Sequence, residues 1–291
     1  MAFLIYYVGL TKWFNDIVDW IDVKVFHNDF KEVKEFYYKN RVRVKNNINA
    51  LADERSREIY KALINYRRTH NRKFMQGIVD CAKDMYFDKD IVKWNKNETF
   101  CECGAYNGDT LKIISELMLK NKIVNWKAIA FECEDRNYEL LVNRIEKDVS
   151  LRGRILTYKL ATWEKKAILN FDSGMEQSSR MSDKGRSLVN ADSVDNVLSV
   201  LKNHEQMSKS VANKVHKHRV RDISFIIMDV EGAEMPGIRG AVKTIMKDRI
   251  YHSDADMVDI IEYIHKNWPF YKLYVRHYTW LYTETVLYAI P

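Results

Sequence analysis

Residues 99–109 constrain the fold of this chain more than any other segment, and they read Thr-Phe-Cys-Glu-Cys-Gly-Ala-Tyr-Asn-Gly-Asp. An apolar run ends here, Gly104 and Gly108 follow, and an amphipathic run begins near Thr110. Glycine accepts the positive φ angles of a tight turn and lets a ligand approach the backbone. A helix start presents unpaired N–H groups to that ligand. The segment therefore predicts a strand, a ligand-binding turn and a helix.

A second apolar run, 128–132, ends in Glu132, 24 positions after Gly108. In nucleotide-binding α/β folds, an acidic residue at the end of the second strand accepts hydrogen bonds from ribose hydroxyls. This pattern leaves a nicotinamide dinucleotide and S-adenosylmethionine as candidate cofactors. The dinucleotide fingerprint needs a glycine where Tyr106 stands, and Glu102 would repel a pyrophosphate but attract the amino-acid end of S-adenosylmethionine. The residues favour S-adenosylmethionine.

The composition is that of an ordinary globular protein. Apolar residues make up 46% of the 291 residues and charged residues 30%, so we expect one large core with a smaller attachment and no wholesale disorder. The net charge of +7 mixes both signs, which permits an acidic partner without requiring one. The four cysteines lack the paired spacing of a zinc cluster and are expected as reduced, buried thiols.

The beginning of the chain is apolar. Residues 1–10 lack the basic start and the cleavage site of a secretory signal, and no stretch is long enough to cross a bilayer. Apolar residues between 13 and 21 follow helical spacing, which favours a helix packed on this protein or on a second copy over an interfacial membrane anchor. We therefore expect a cytoplasmic protein without a membrane span, and a homo-oligomer is compatible with the pattern.

Two regions of the chain differ in pattern. Residues 1–95 are dense in charge and predict helices, whereas the remainder alternates short apolar runs with amphipathic helices, as in a parallel sheet with crossovers. The predicted strands are 98–103, 127–132, 154–160 and 223–229, and the predicted helices are 109–121, 136–148 and 234–247. Two β-rich runs, 271–278 and 284–290, are too close for a crossover and predict an antiparallel hairpin. The sequence thus predicts an N-terminal helical region, 1–95, and an α/β domain, 96–291.

Residues 196–222 are polar and predict an irregular segment. The segment ends in the basic run Lys214-Val-His-Lys-His-Arg-Val-Arg221. Two interpretations stay open, namely a lid or basic rim that attracts an anionic substrate and a solvated insertion without a binding role.

Four sequence motifs of this chain resemble those of one known protein family. They are Glu102-Cys-Gly-Ala-Tyr-Asn-Gly-Asp-Thr110, Phe131-Glu132, Ile227-Met-Asp-Val-Glu-Gly-Ala-Glu234 and Glu284-Thr-Val-Leu-Tyr-Ala289. Together they resemble the FkbM family of S-adenosylmethionine-dependent methyltransferases, over roughly residues 96–291. The resemblance implies a class I methyltransferase fold, which is Rossmann-like and has a mostly parallel sheet that ends in an antiparallel hairpin. It also implies methyl transfer to oxygen, often to hydroxyls of sugars or natural products, and a role in glycan biosynthesis.

The resemblance also implies the residues of the cofactor site. They are Glu102, Gly104, Ala105, Tyr106, Gly108, Asp109, Thr110, Glu132, Ala161 and Thr162. Within this set the glycine turn would line the methionine and ribose, Glu132 would hold the ribose hydroxyls, and Ala161 and Thr162 would lie beside the adenine.

Methyl transfer to a hydroxyl needs a base, because the sulfonium methyl is already activated but the hydroxyl proton must leave. By the resemblance, Asp229 and Glu231 would face the substrate. Asp229 is the first candidate for the base, acting directly or through a divalent metal, and His252 is the second. Glu231 and Glu234 have an alternative role as structural carboxylates at a helix N-terminus. Only residues 248–250 stand where the family has a full fifth strand, so this strand is reduced or the sequence lacks several residues there.

The main hypothesis is an O-methyltransferase that acts on a small-molecule or glycan substrate. A nucleic-acid methyltransferase is supported only by the positive net charge and the basic run 214–221, and the segment at Asp229 does not supply the aromatic pocket that a flipped base needs. A non-catalytic binding module that keeps the fold is opposed by the intact glycine turn and by Glu102 and Glu132.

Overall fold

The structure is a computed structural model that describes residues 30–172, 180–181, 185, 187–208, 223–245, 248–250, 254–279 and 284–291. The helices in these ranges are α1 (Phe30–Lys39), α2 (Arg41–Ala50), α3 (Glu54–Thr69), α4 (Asp109–Lys120), α5 (Asp135–Lys147), α6 (Val194–Ser208), α7 (Glu234–Gly240) and α8 (Asp254–Asn267). The strands are β1 (Asn97–Cys103), β2 (Asn125–Glu132), β3 (Ile155–Lys159), β4 (Ala161–Thr162), β5 (Ala167–Asp172), β6 (Arg180–Met181), β7 (Ser187–Asp192), β8 (Phe225–Met228), β9 (Asp248–Ile250), β10 (Lys272–His277) and β11 (Thr285–Ile290).

Seven strands form the central sheet in the order β10-β11-β9-β8-β1-β2-β3. Strand β11 is antiparallel to β10 and to β9, whereas the pairs from β9 to β3 are parallel. Strand β1 is buried at every position after Asn97, as expected for a central parallel strand covered by helices on both faces. The predicted α/β fold, with a mostly parallel sheet and a closing antiparallel hairpin, is confirmed. The reduced fifth strand is β9, which has three residues.

The N-terminal helices α1–α3 form an extension that packs against the hairpin end of this sheet. Ile59 of α3 lies in one hydrophobic core with Leu273 of β10. Asp53 caps α3 by accepting a hydrogen bond from the backbone N–H of Ser56 (2.8 Å), and it also binds Arg276 of β10 (2.7 Å). The extension therefore shares its core with the sheet. The division of the chain at residue 95 stays a prediction.

The irregular segment predicted over 196–222 is wrong in its first part, because α6 covers residues Val194–Ser208. Its buried apolar side chains recur at helical spacing, and they are Val194, Val197 and Leu198. The Ser193 hydroxyl caps the helix by accepting a hydrogen bond from the backbone N–H of Asn196 (3.1 Å). A periodic signal was thus present among the polar residues. The basic run 214–221 lies outside the described residues.

The helix predicted over 234–247 is shorter, since α7 ends at Gly240 and residues 241–244 form a turn. Gly237 and Gly240 both lower helix propensity. A Cβ on Gly240 would lie 1.9 Å from the backbone oxygen of Trp163, so another part of the backbone approaches the helix where it ends.

A second sheet follows β3 and was not predicted from the sequence. Its strand order is β4-β7-β5-β6. Strands β5 and β7 alternate between exposed and more buried positions, and Phe171 of β5 packs with Val189 and Ala191 of β7. The sheet matters for function because Phe171 and the two residues of β4 reach the candidate site.

Candidate functional site

A cavity of about 270 Å³ opens at the carboxyl ends of β1, β2 and β8. Ligands of open α/β sheets bind at this edge, where loops and helix N-termini converge. The predicted cofactor-binding residues on its wall are Gly104, Tyr106, Asp109, Thr110, Glu132, Ala161 and Thr162, and the predicted catalytic residues there are Asp229 and Glu231. The structure thus brings most of the predicted site into one cavity.

Three predicted cofactor-binding residues, Glu102, Ala105 and Gly108, belong to the same strand-turn-helix segment but do not form part of the cavity wall. His252, the second candidate base, lies outside the described residues. Glu234 is fully buried at the start of α7, where one of its carboxylate oxygens accepts a hydrogen bond from the backbone N–H of Val230 (3.2 Å). This contact agrees with the structural alternative for Glu234.

The glycine turn is fixed by backbone contacts. The N–H groups of Gly104 and Ala105 both donate to the carbonyl oxygen of Phe131 (3.0 and 2.8 Å), which ties the turn to the end of β2. Gly104 has a φ of +81°, and a Cβ there would lie 1.9 Å from the backbone oxygen of Asp229. Gly108 has the same φ and precedes α4, where a Cβ would lie 2.9 Å from a leucine side chain of α5. The positive φ favours glycine at both positions, and at Gly104 the neighbouring backbone also leaves no room for a side chain.

Glu132 joins the end of β2 to the turn. One carboxylate oxygen accepts a hydrogen bond from the backbone N–H of Tyr106, and the other accepts one from Glu134, each at 2.8 Å. Burial raises the pKa of Glu132 to about 7, although these backbone hydrogen bonds act in the opposite direction. Glu132 therefore supports the turn, faces the cavity and changes charge near neutral pH.

Glu102 is a buried carboxyl next to this wall. Its side chain is 2% exposed, and its Oε2 has no hydrogen-bond partner among the described residues. Burial, together with the negative charges of Asp109 and Asp229, raises the pKa of Glu102 well above its ordinary value. Because a buried polar atom without a partner costs free energy, Glu102 is a candidate to receive a hydrogen-bond donor from a ligand.

Asp229 follows β8 and lies opposite a residue that sequence reasoning missed. The hydroxyl of Tyr86 donates a hydrogen bond to Asp229 Oδ2 at 2.7 Å. Glu231 has a φ of +48°, and it lines the cavity together with Glu284, the residue before β11. Glu284 stood in a quoted motif without an assigned role. No local sequence pattern indicated Tyr86, because its contact with Asp229 spans 143 positions of sequence.

Strand β4 and helix α5 also contribute polar residues to the cavity wall. Thr162 of β4 is 3% exposed, and its Oγ1 has no hydrogen-bond partner among the described residues. Asn137, in the first turn of α5, and Phe171 complete this part of the wall. Sequence reasoning missed both, although a buried asparagine on an amphipathic helix is a signal that could have been used.

The charged residues of the described cavity wall are all acidic. Its carboxylates are Asp109, Glu132, Asp229, Glu231 and Glu284, and no described lining residue is a lysine, arginine or histidine.

Across the described ranges, no group of three or more His, Cys, Asp and Glu side chains is arranged to hold a metal ion. Among the helices that the structure describes, none is both long and apolar enough to span a membrane.

The sequence and the fold of this chain are both similar to those of known methyltransferases. The sequence matches the methyltransferase FkbM domain over residues 102–283, which is more than half of the chain. No curated protein sequence gives a significant match. Among solved structures, the chain is similar to the methyltransferase FkbM from Methylobacillus flagellatus KT, with a TM-score of 0.69 and 20% sequence identity.

That alignment covers 88% of this chain and 60% of the Methylobacillus chain, so this chain spans less than two thirds of its relative's length. A weaker likeness, with a TM-score of 0.38 and 11% identity, is to Aeropyrum pernix fibrillarin in complex with S-adenosylmethionine, and it covers 69% of this chain and 71% of that one. The domain match over residues 102–283 and the shared fold lead to one assignment. This chain belongs to the methyltransferase FkbM domain family.

Proposed function

We propose that this chain transfers a methyl group from S-adenosylmethionine to a hydroxyl of a sugar, a glycan or a natural-product small molecule. One observation carries the proposal, namely that the Gly104 turn, Glu132 and Asp229 meet around a single acidic cavity. Family membership supports methyl transfer. The polar lining supports an acceptor that bears hydroxyl groups, because such groups can donate hydrogen bonds to carboxylates.

The residues of the cavity suit this donor. A wall with five carboxylates attracts a ligand that carries sulfonium and ammonium charges. Glu102, whose Oε2 lacks a partner among the described residues, would receive the ammonium group. Glu132 would accept hydrogen bonds from the ribose hydroxyls, and Thr162 with Asn137 would contact the adenine. When bound, S-adenosylmethionine supplies a methyl group that is already activated for transfer.

The chain itself must remove the acceptor's proton. Asp229 is the proposed base, because its carboxylate lines the cavity at the carboxyl end of β8 and is held there by Tyr86. Glu231 would orient the acceptor from the same loop. In this proposal residues 96–291 are the catalytic domain, and residues 1–95 support it by contributing Met85 and Tyr86 to the cavity wall.

The acceptor class can be tested with a donor that carries an isotopically labelled methyl group. The protein is incubated with this donor and with a panel of sugars, oligosaccharides and hydroxylated natural products, and the products are analysed by mass spectrometry. We expect labelled O-methyl ethers from at least one member of the panel, and at least about 100-fold less of them when Asp229→Asn replaces the wild type. Labelled products confined to amines or to nucleic acid would contradict the proposal.

Donor affinity is expected to fall below neutral pH. Because burial raises the pKa of Glu132 to about 7, the carboxylate is ionised above that pH and attracts the cationic donor. Below that pH the group is protonated and the attraction is lost. Calorimetry about one pH unit above and below this value should therefore show weaker binding of S-adenosylmethionine at the lower pH.

Two variants control this measurement. Glu132→Gln should reduce the pH dependence, whereas Asp135→Asn should keep it, because Asp135 is 83% exposed and pairs only with Lys159 among the salt bridges described. Equal affinities at both pH values in the wild type would show that Glu132 does not contact the donor.

A further inference from the structure

Tyr86 reaches the candidate site from outside the matched family domain. Its hydroxyl donates to Asp229 Oδ2 at 2.7 Å. The residue lies between the 3₁₀ turn Ala82–Asp84 and β1, whereas the family match begins at residue 102. Neither the family match nor the sequence motifs therefore give Tyr86 a role.

The backbone at Tyr86 has a conformation that the surrounding structure must enforce. Its φ of +65° lies in the left-handed region, which costs a residue other than glycine about 1–2 kcal/mol. The segment is fixed on both sides, since the backbone N–H of Asp80 donates to the carbonyl oxygen of His277 (2.6 Å) and Asp88 pairs with Arg276 (3.3 Å). Strain that is held in place by such anchors is typical of functional positions.

The charges around Tyr86 define what its hydroxyl can do. Burial and the negative charges of Asp229, Glu284 and Glu102 raise the pKa of Tyr86 well above its ordinary value, so the phenol remains a hydrogen-bond donor at neutral pH. Glu231 and Glu284 line the same cavity as Asp229 and repel negative charge on it. A hydrogen bond donated to Asp229 opposes this repulsion and fixes the direction of the carboxylate.

We propose that Tyr86 is a positioning residue, whose hydroxyl holds the Asp229 carboxylate in the orientation that receives the acceptor's proton. This inference rests on the proposed function. In the transfer, the O–H bond of the acceptor breaks and its proton passes to Asp229. The new O–C bond forms as the donor's C–S bond breaks, and the electron pair of that bond stays on sulfur. Tyr86 keeps its own proton throughout.

Tyr86→Phe tests the role by removing only the hydroxyl. Tyr138→Phe is the matched control, because the Tyr138 hydroxyl bonds to Thr157 Oγ1 (3.1 Å) and Tyr138 does not line the cavity. Crystal structures of the wild type and both variants are determined with S-adenosylhomocysteine, the demethylated donor. We expect the Asp229 carboxylate to leave its wild-type position in Tyr86→Phe alone.

An Asp229 position that is unchanged in Tyr86→Phe, or equally displaced in both variants, would overturn the inference. A wild-type cavity without S-adenosylhomocysteine would instead contradict the proposed function, and the position of Asp229 could still be compared.

Turnover provides a second readout, measured with the acceptor that the labelled donor identifies. We expect Tyr86→Phe to lower kcat by about 100-fold, with KM for the donor unchanged, because a misplaced base removes protons poorly. The same change should have no further effect when Asp229 is already asparagine. Equal losses in the two backgrounds would show that Tyr86 acts independently of Asp229.

Discussion

Asp229→Asn is expected to reduce methyl transfer by at least about 100-fold, the usual contribution of a general base. Asparagine keeps the shape of the side chain and can still accept the hydrogen bond that Tyr86 donates to Asp229. It cannot accept the acceptor's proton. Because S-adenosylhomocysteine lacks the sulfonium charge, its affinity should stay at the wild-type value, and calorimetry with this ligand separates lost chemistry from lost binding.

Asp135→Asn is the matched control for this variant. Asp135 lies at the start of α5 with an exposed side chain, so its replacement should change neither turnover nor binding. Wild-type turnover in Asp229→Asn would remove Asp229 from the mechanism. A parallel loss of S-adenosylhomocysteine binding would show that Asp229 holds the ligand instead of acting as the base.

Gly104→Ala is expected to impair both folding and donor binding. The new Cβ would lie 1.9 Å from the backbone oxygen of Asp229, so the ends of β1 and β8 would have to separate. Together with the cost of a positive φ, this overpacking should lower the free energy of unfolding by about 3 kcal/mol. Displacement of the turn should weaken S-adenosylmethionine binding by about 100-fold or more.

Gly153→Ala separates the steric effect from the conformational one. Gly153 has a φ of +73°, but a Cβ there would have no neighbour within 4 Å. It should therefore cost only about 1–2 kcal/mol, the penalty of the left-handed conformation, and leave donor affinity unchanged. Denaturant unfolding and calorimetry measure both quantities. If the two alanine variants behave alike, the close approach of β1 and β8 does not control the site.

Local patterns predicted which residues of β1, β2 and the turn at Gly104 lie together at the carboxyl edge of the sheet. The segment around Gly104 combines an apolar run, two glycines and an amphipathic helix within a few positions, so its geometry follows from nearby residues. Glu132 ends the next strand, and parallel pairing of β1 with β2 brings it to the same edge of the sheet. Such inferences succeed because the carboxyl ends of parallel strands lie side by side.

The rest of the wall depends on contacts that no local pattern contains. Tyr86 contacts Asp229 across 143 positions of sequence, and its own segment has no regular periodicity. Phe171 belongs to a small sheet whose strands are short and half-exposed, which gives weak alternation. Helix α6 is different. Its apolar residues follow helical spacing, but the polar residues after them led to the prediction of an irregular segment.

Calorimetric titration of the wild-type protein with S-adenosylmethionine measures whether the cavity at the Gly104 turn binds this donor. We expect saturable binding at one site, with a dissociation constant in about the micromolar range and competition by S-adenosylhomocysteine. The absence of binding heat at millimolar donor would contradict it.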